Sequence, residues 1–305
     1  MFGVGLIDAI SADELRAMEK LQAERGGDIS GRVAPARPAT RDPLPAADDF
    51  VGQQLEEVGR FGWRGQTATL ADFVLGACAN ELGLSNAIHG QAADPLSAGR
   101  NPEPTGEQKR DVIDLDQEQC RALIDFVRKL PRPAQIKPTL VKLAAVAHRG
   151  EEVFRTIGCI ECHVEKVGGV AGLFSDMLLH DMGSELSDPV PAMPKIEKVG
   201  ERTVFSTYGG AIVTDVTAEV ATEIRQEWRT PPLWGVADSP PYLHDGRAPT
   251  LSKAILLHGG EAAKSRQRFA ALSSIDRDAI ESFLMTLRAP RQNVADKRLG
   301  GVSAF

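Results

Sequence analysis

Cys159, Cys162 and His163 form a Cys-x-x-Cys-His run in a chain of 305 residues that has only four cysteines and six histidines. Two thiols at this spacing can add across the two vinyl groups of a haem and fix the porphyrin to the backbone. The histidine that follows at once is then held under the iron as its proximal ligand. Chance places this five-residue pattern in a chain of such composition about once in a thousand. The competing chemistry is a bare redox or zinc pair. Zinc needs two further ligands at similar spacing, and the sequence offers none. One covalent haem c is therefore expected, carried by Cys159 and Cys162, with His163 beneath its iron.

The sixth iron position is either filled or open, and that choice separates electron carriage from catalysis. His258, Met182, His180, His244, Met193 and Met177 are the candidates. His258 is preferred, because Gly259 and Gly260 behind it let the backbone approach a flat ring. Met182 is second; a Met ligand raises the reduction potential and a His ligand is expected to lower it. Trp228, Arg229 and Arg247 are candidate partners for the haem propionates. Arginine pairs bidentately with carboxylates, and an indole N–H can do the same from an apolar wall. Core filling is the plain alternative for the tryptophan. His244 lies in a turn-like segment; His89 and His148 read as surface residues.

The elements that must position these groups follow from periodicity. His148 to Gly158 has a helical pattern with Val153, Phe154 and Ile157 on one face, and it runs straight into the attachment site. Asp276 to Leu287 offers Ile280, Phe283, Leu284 and Leu287 as a second buried face. An internal repeat is also visible. Phe61 to Leu70 matches Tyr242 to Leu251, with Gly65 answering Gly246 and Thr69 answering Thr250; helical patterns follow both. Ala122 to Pro131 resembles Ala279 to Arg288, with Phe126 answering Phe283. The offset change between the two pairs puts an insertion in the polar, Pro/Gly-rich stretch Ala92 to Asp114.

Composition is globular, with 42% hydrophobic and 25% charged residues. The net charge of −7 argues against a nucleic-acid partner. No apolar run has the length of a membrane span. The first twenty residues lack a basic region, an apolar core and a cleavage site, so no signal peptide is read there. Because covalent haem c is normally assembled outside the cytoplasm, a natural beginning upstream of Met1 is expected, along with a periplasmic location.

Phe174 to Gly183 (Phe-Ser-Asp-Met-Leu-Leu-His-Asp-Met-Gly), Trp228 to Gly235 (Trp-Arg-Thr-Pro-Pro-Leu-Trp-Gly), Tyr242 to Arg247 and Thr250 to Gly260 together resemble the bacterial di-haem oxidoreductase family. That family is distantly related to the di-haem cytochrome c peroxidases. The likeness extends to Gly62-Trp63 and to Asp28 to Arg32. It implies a periplasmic all-α protein of two cytochrome c-like domains, each with a haem. In the peroxidase relatives a Met after the Tyr-x-His-Asp-Gly turn ligates the electron-transfer haem; that place is His258 here. The matching place in the first copy falls near Ala77, which cannot ligate iron. The first haem motif of the family is missing from this chain.

The expectation is thus an all-α fold. Residues 1–140 form a partial cytochrome c-like domain without a haem motif, and 141–305 form a c-type cytochrome domain. The expected function is periplasmic electron carriage as part of a di-haem oxidoreductase, with a redox partner protein and with oligomerisation left open. The alternatives are a peroxidase-like enzyme with an open haem site, or a fragment of one. Cys78 and Cys120 stay unassigned: free thiols, a disulfide with each other, or small buried residues.

Overall fold

The computed structural model describes residues 2–36, 57–86, 88–89, 113–188, 197–199, 202–207, 210–213 and 226–290. Met193 and nearly all of the expected insertion lie outside them. The described helices are α1 (Val4–Asp8), α2 (Ala12–Arg25), α3 (Leu70–Glu81), α4 (Gln117–Arg128), α5 (Val141–Thr156), α6 (Leu251–Leu256), α7 (Ala263–Ala271) and α8 (Ser274–Leu284). Five begin on a side-chain cap: Ser11, Thr69, Asp116, Thr250 and Ser273 each accept a hydrogen bond from the backbone N–H three residues on. Such caps satisfy donors that a helix start otherwise leaves unpaired.

The expected all-α class needs correction. The fold is mainly helical but carries short antiparallel strands. Leu179–Asp181 pairs with Glu227–Arg229, Leu287–Arg288 with Ala134–Gln135, and Glu197–Val199, Arg202–Thr207 and Gly210–Val213 form a three-stranded sheet. The sheet's longer strands, Arg-Thr-Val-Phe-Ser-Thr and Gly-Ala-Ile-Val, are rich in β-branched and aromatic residues, which favour extended backbone. Leu287, expected at the end of the last helix, is buried as expected but lies in a strand.

The first half of the internal repeat is reproduced bond for bond. Phe61 and Thr67 exchange both backbone hydrogen bonds, as do Tyr242 and Ala248. Gly65 N–H donates to Gly62 O at 3.2 Å, and Gly246 N–H donates to Leu243 O at 3.2 Å. Gly65 and Gly246 hold φ of 62° and 71°, a conformation that favours glycine. Thr69 and Thr250 then cap α3 and α6 at equivalent places. The second pair diverges. Phe283 on α8 is fully buried, whereas Phe126 on α4 is 64% exposed. The partners differ: α8 crosses α5, whereas α4 packs on α1 and α3.

Two apolar clusters make the core. One packs Phe154, Ile157, Phe174, Leu251, Phe269, Ile280, Phe283, Leu284 and Leu287 around the α5–α8 crossing. Gly150 permits this crossing, because a Cβ there would overlap the Ala279 carbonyl. The other gathers residues of α1, α2, α3 and α4 with Val167, Val170, Leu173 and Met177. The segment after the Cys-x-x-Cys-His turn therefore packs onto the N-terminal half.

Candidate haem-attachment site

Helix α5 delivers the attachment turn. It ends at Thr156, Gly158 takes a left-handed φ of 95°, and Cys159–Glu161 form one 3-10 turn. His163 N–H donates to Cys159 O at 2.9 Å, which brings the imidazole back beside the two thiols. Its Nδ1 donates to Phe174 O at 3.0 Å. That bond fixes the tautomer and leaves Nε2 with its lone pair, the arrangement a metal-ligating histidine needs. Burial depresses the His163 pKa to about 4, so the ring is neutral at neutral pH.

His258 follows the end of α6 and repeats this arrangement. Its Nδ1 donates to Ala254 O at 2.8 Å, and burial lowers its pKa as well. The two rings lie close enough for each other's charge to matter: His258 is among the groups that depress His163. No described residue hydrogen-bonds Nε2 of either ring.

Cys159 and Cys162 are both partly exposed free thiols. Burial among protein atoms pushes the Cys159 thiol up to about 12 and raises Cys162 as well. Both are therefore thiols rather than thiolates near neutral pH. Among the described residues, the only three His, Cys, Asp or Glu side chains close enough to share an ion are Cys162, Asp176 and His180. Cys159 is not in that group, so the pair does not close on a tetrahedral zinc. Two thiols for vinyl groups and two neutral imidazoles with free Nε2 fit a haem c.

The segment Phe174–Met177 braces the turn. Phe174 O receives His163 Nδ1, Ser175 N–H donates to Val164 O at 2.8 Å, and Asp176 N–H donates to Cys162 O at 2.8 Å. Phe174 and Met177 hold φ of 51° and 64°. Side chains avoid this region at a cost of roughly 1–3 kcal/mol each, and such strain concentrates at functional sites.

Sequence reasoning missed the group behind this segment. His180, only 2% exposed, places Nε2 at 2.8 Å from Asp176 Oδ2 and Nδ1 at 2.7 Å from Glu261 Oε2. Burial opposes charge on the ring. Hydrogen bonds to Asp176 and Glu261, with the Cys162 sulfur beside Nδ1, outweigh it and push the pKa up to about 12. An imidazolium with both N–H groups donated to carboxylates has no lone pair for iron, which removes His180 from the ligand candidates. Gln22 Nε2 completes the group, 2.7 Å from Asp176 Oδ2 and 3.2 Å from Glu161 O. The only sequence signal was the spacing of Asp176 and His180 within the family-like run.

The remaining candidates are dispersed. The Met182 backbone lies against Gly259, beside His258 in the chain. Met177 Sδ accepts from Arg229 Nη1 at 3.3 Å. Arg229 also donates from Nε to Gly62 O at 2.9 Å, and burial lowers its pKa to about 10. Trp228 Nε1 donates to Leu186 O at 2.9 Å, which commits its N–H to the backbone. Its ring stacks on His244 at 3.6 Å between centroids, with Arg64 over the indole at 4.0 Å. Arg247 pairs with Asp245 and donates to Glu185 O at 2.6 Å.

Residues 210–287 match the model of a family described as "Di-haem oxidoreductase, putative peroxidase". The match bears out the resemblance read from the sequence and supports a haem oxidoreductase. It covers His258 and three of the four motifs that carried the resemblance; Cys159–His163 and Phe174–Gly183 lie upstream of it. No curated protein matches the chain. Among solved structures, it is similar to a Kuenenia stuttgartiensis hydrazine synthase (21% identity, TM-score 0.38, 56% of this chain and 55% of that one). It is also similar to a MauG-like protein associated with microbial copper homeostasis (17% identity, TM-score 0.35, 55% of this chain and 52% of that one). The chain thus spans about half the length of these structures. No helix among the described residues is long and apolar enough to cross a membrane.

Proposed function

We propose that this chain would bind one haem c through Cys159 and Cys162, with His163 and His258 as the residues that would ligate its iron, and carries electrons in the periplasm to or from a redox partner protein. The observation that carries this reading is the pair of neutral imidazoles. Each has Nδ1 donated to a backbone carbonyl, and no described residue hydrogen-bonds its Nε2. The haem would supply one-electron chemistry at its iron. The chain's own residues hold the two thiols at the porphyrin edge, keep both rings neutral and orient them through Phe174 O and Ala254 O. They also exclude water with Phe154, Phe174 and Phe283, whose rings pack 5.4 and 5.5 Å apart. Arg229 commits Nε to Gly62 O and Nη1 to Met177 and Thr230 O; its Nη2, which no described residue hydrogen-bonds, is the group proposed for a propionate. In this reading residues 141–305 are the cytochrome unit, and 1–140 are a partial copy that packs against it.

The test is the absorption spectrum of reduced protein with and without carbon monoxide. Two imidazole ligands predict a spectrum that carbon monoxide changes slowly or not at all. Rapid binding would mean an open iron, and would favour a peroxidase-like enzyme, the activity in the description of the matching family.

A further inference from the structure

The haem reading takes His258 as a ligand and leaves unexplained the buried group formed by Gln22, Asp176, His180 and Glu261. Glu261 lies three residues beyond His258, in a single 3-10 turn spanning Gly260–Ala262. Its side chain is 14% exposed, and both carboxylate oxygens are engaged. Oε2 accepts from His180 Nδ1 at 2.7 Å and from the Ser30 backbone N–H at 2.9 Å. Oε1 accepts from the Asp181 backbone N–H at 3.2 Å. His180 is held from its other side by Asp176, and Asp176 by Gln22. Gly31 N–H donates in turn to Gln22 Oε1 at 2.8 Å. Glu261 therefore ties the segment carrying His258 both to the strand Leu179–Asp181 and to the N-terminal half.

The backbone between His258 and Glu261 is fitted to the end of the same strand. A Cβ on Gly259 would come within 2.6 Å of Met182 O, and one on Gly260 would overlap Asp181 O. From the facing side, a Cβ on Gly183 would come within 2.9 Å of the Gly260 nitrogen. The described hydrogen bonds of His258 itself are local: Nδ1 to Ala254 O at 2.8 Å, and the backbone N–H to Ile255 O at 3.2 Å. They orient the ring on its own turn but do not fix that turn relative to His163. Helix α6 has six residues, and Leu251 and Ile255 seat it on the apolar cluster. Glu261 fixes the far side of His258.

Resting on the haem reading, we propose that Glu261 is a positioning residue for His258, holding the segment from His258 to Glu261 against His180 and the Ser30 backbone so that the imidazole would stay bound as the second ligand of the iron.

A ligand on iron exchanges between bound and released states, and whatever holds its segment in place favours the bound one. A hydrogen bond to a charged group shifts such an equilibrium by about tenfold to a hundredfold. Burying a carboxylate against an imidazolium is a poor way to gain stability, because desolvation offsets most of the attraction. The pair is better understood by what it holds.

The experiment measures carbon monoxide binding by reduced, haem-loaded wild type, His258→Ala, Glu261→Ala and Glu261→Gln, with circular dichroism as the check on folding. Wild type should bind slowly and His258→Ala rapidly. Glu261→Ala should bind about tenfold or more faster than wild type and show a high-spin absorption component that wild type lacks. Glu261→Gln keeps an oxygen acceptor for a backbone N–H and should fall between the two; it carries the test if Glu261→Ala does not accumulate. Asp116→Ala removes the side-chain cap of α4, far from His258 in the chain, and is the control for stability alone. It should lower Tm and leave the carbon monoxide kinetics at the wild-type value; equal acceleration in Asp116→Ala would reduce Glu261 to a merely structural role. Wild-type kinetics in whichever Glu261 variant folds, beside an opened His258→Ala, would overturn the positioning role and leave the haem reading standing. Rapid binding by wild type, or slow binding by His258→Ala, would instead overturn the ligand role of His258, and the positioning role with it.

Discussion

Replacing Gly150 with alanine should loosen the α5–α8 crossing on which the attachment turn is built. The added methyl would overlap the Ala279 carbonyl and come within 2.9 Å of the Ile280 nitrogen. Both are backbone atoms of a helix, so neither can swing aside. Carbon contacts relax only near 3.5–4.0 Å, and the helices must part by roughly 1.5 Å. Overpacking of this kind costs about 1–3 kcal/mol. The crossing also carries the Phe154–Phe283 ring pair. It is worth about 0.5–1.5 kcal/mol beyond its buried area and weakens as the helices separate. Against this stands the helix propensity of alanine over glycine, about 1 kcal/mol. The net loss is about 2 kcal/mol. At about 2–4 °C per kcal/mol for a chain of this size class, Tm should fall by about 4–8 °C.

Gly76→Ala in α3 is the matched control. Its Cβ would meet only the His89 ring, at 3.9 Å, which is ordinary contact. Here propensity acts alone and stability should rise by about 1 kcal/mol. Thermal melts of the two variants beside wild type check the pair. A Gly150→Ala protein as stable as wild type would refute the close-crossing argument; so would equal losses in both variants.

Three further outcomes follow from the same geometry. In protein made without haem attachment, His163 has a folded pKa of about 4 against an ordinary 6.5, and His258 is shifted the same way. Between those values the unfolded chain binds protons that the folded chain refuses, so stability should fall as pH drops from about 6.5 towards 4. A urea midpoint that stays constant across that window would contradict the burial of both rings. Cys78 and Cys120 are buried free thiols whose pKa values burial raises. Alkylation at pH 8 should spare both in native protein and modify both after denaturation; fast native labelling would place them at the surface. His258→Ala should open the iron, giving rapid carbon monoxide binding where wild type gives little, and an unchanged spectrum would mean that another side chain closes the site.

What the sequence disclosed was governed by local pattern. The attachment turn was legible because its chemistry needs fixed residue types within five positions. The α5–α8 pair was legible because its apolar face repeats at helical spacing. The paired turns at Phe61 and Tyr242 were legible through Gly65 and Gly246, whose positive φ restricts residue choice. Helix α5 begins at Val141, earlier than its pattern suggested, because Val141 and Leu143 are exposed and break the amphipathic rhythm. The strands within 197–213 were hidden by their shortness. The His180 group was invisible for a different reason: Gln22, Asp176 and Glu261 lie far apart in the chain, and only packing joins them. Trp228 was read as a propionate donor because its type suits that task, yet a nearby carbonyl, Leu186 O, takes its N–H.

The mass of the intact chain after maturation in a periplasm tests the central claim most directly. Protein denatured in acid and freed of all non-covalent ligands should weigh one haem more than its polypeptide. That increment should vanish when Cys159 and Cys162 are both replaced by serine. A mass equal to the bare polypeptide, from cells that attach haem to a control cytochrome, would contradict the account.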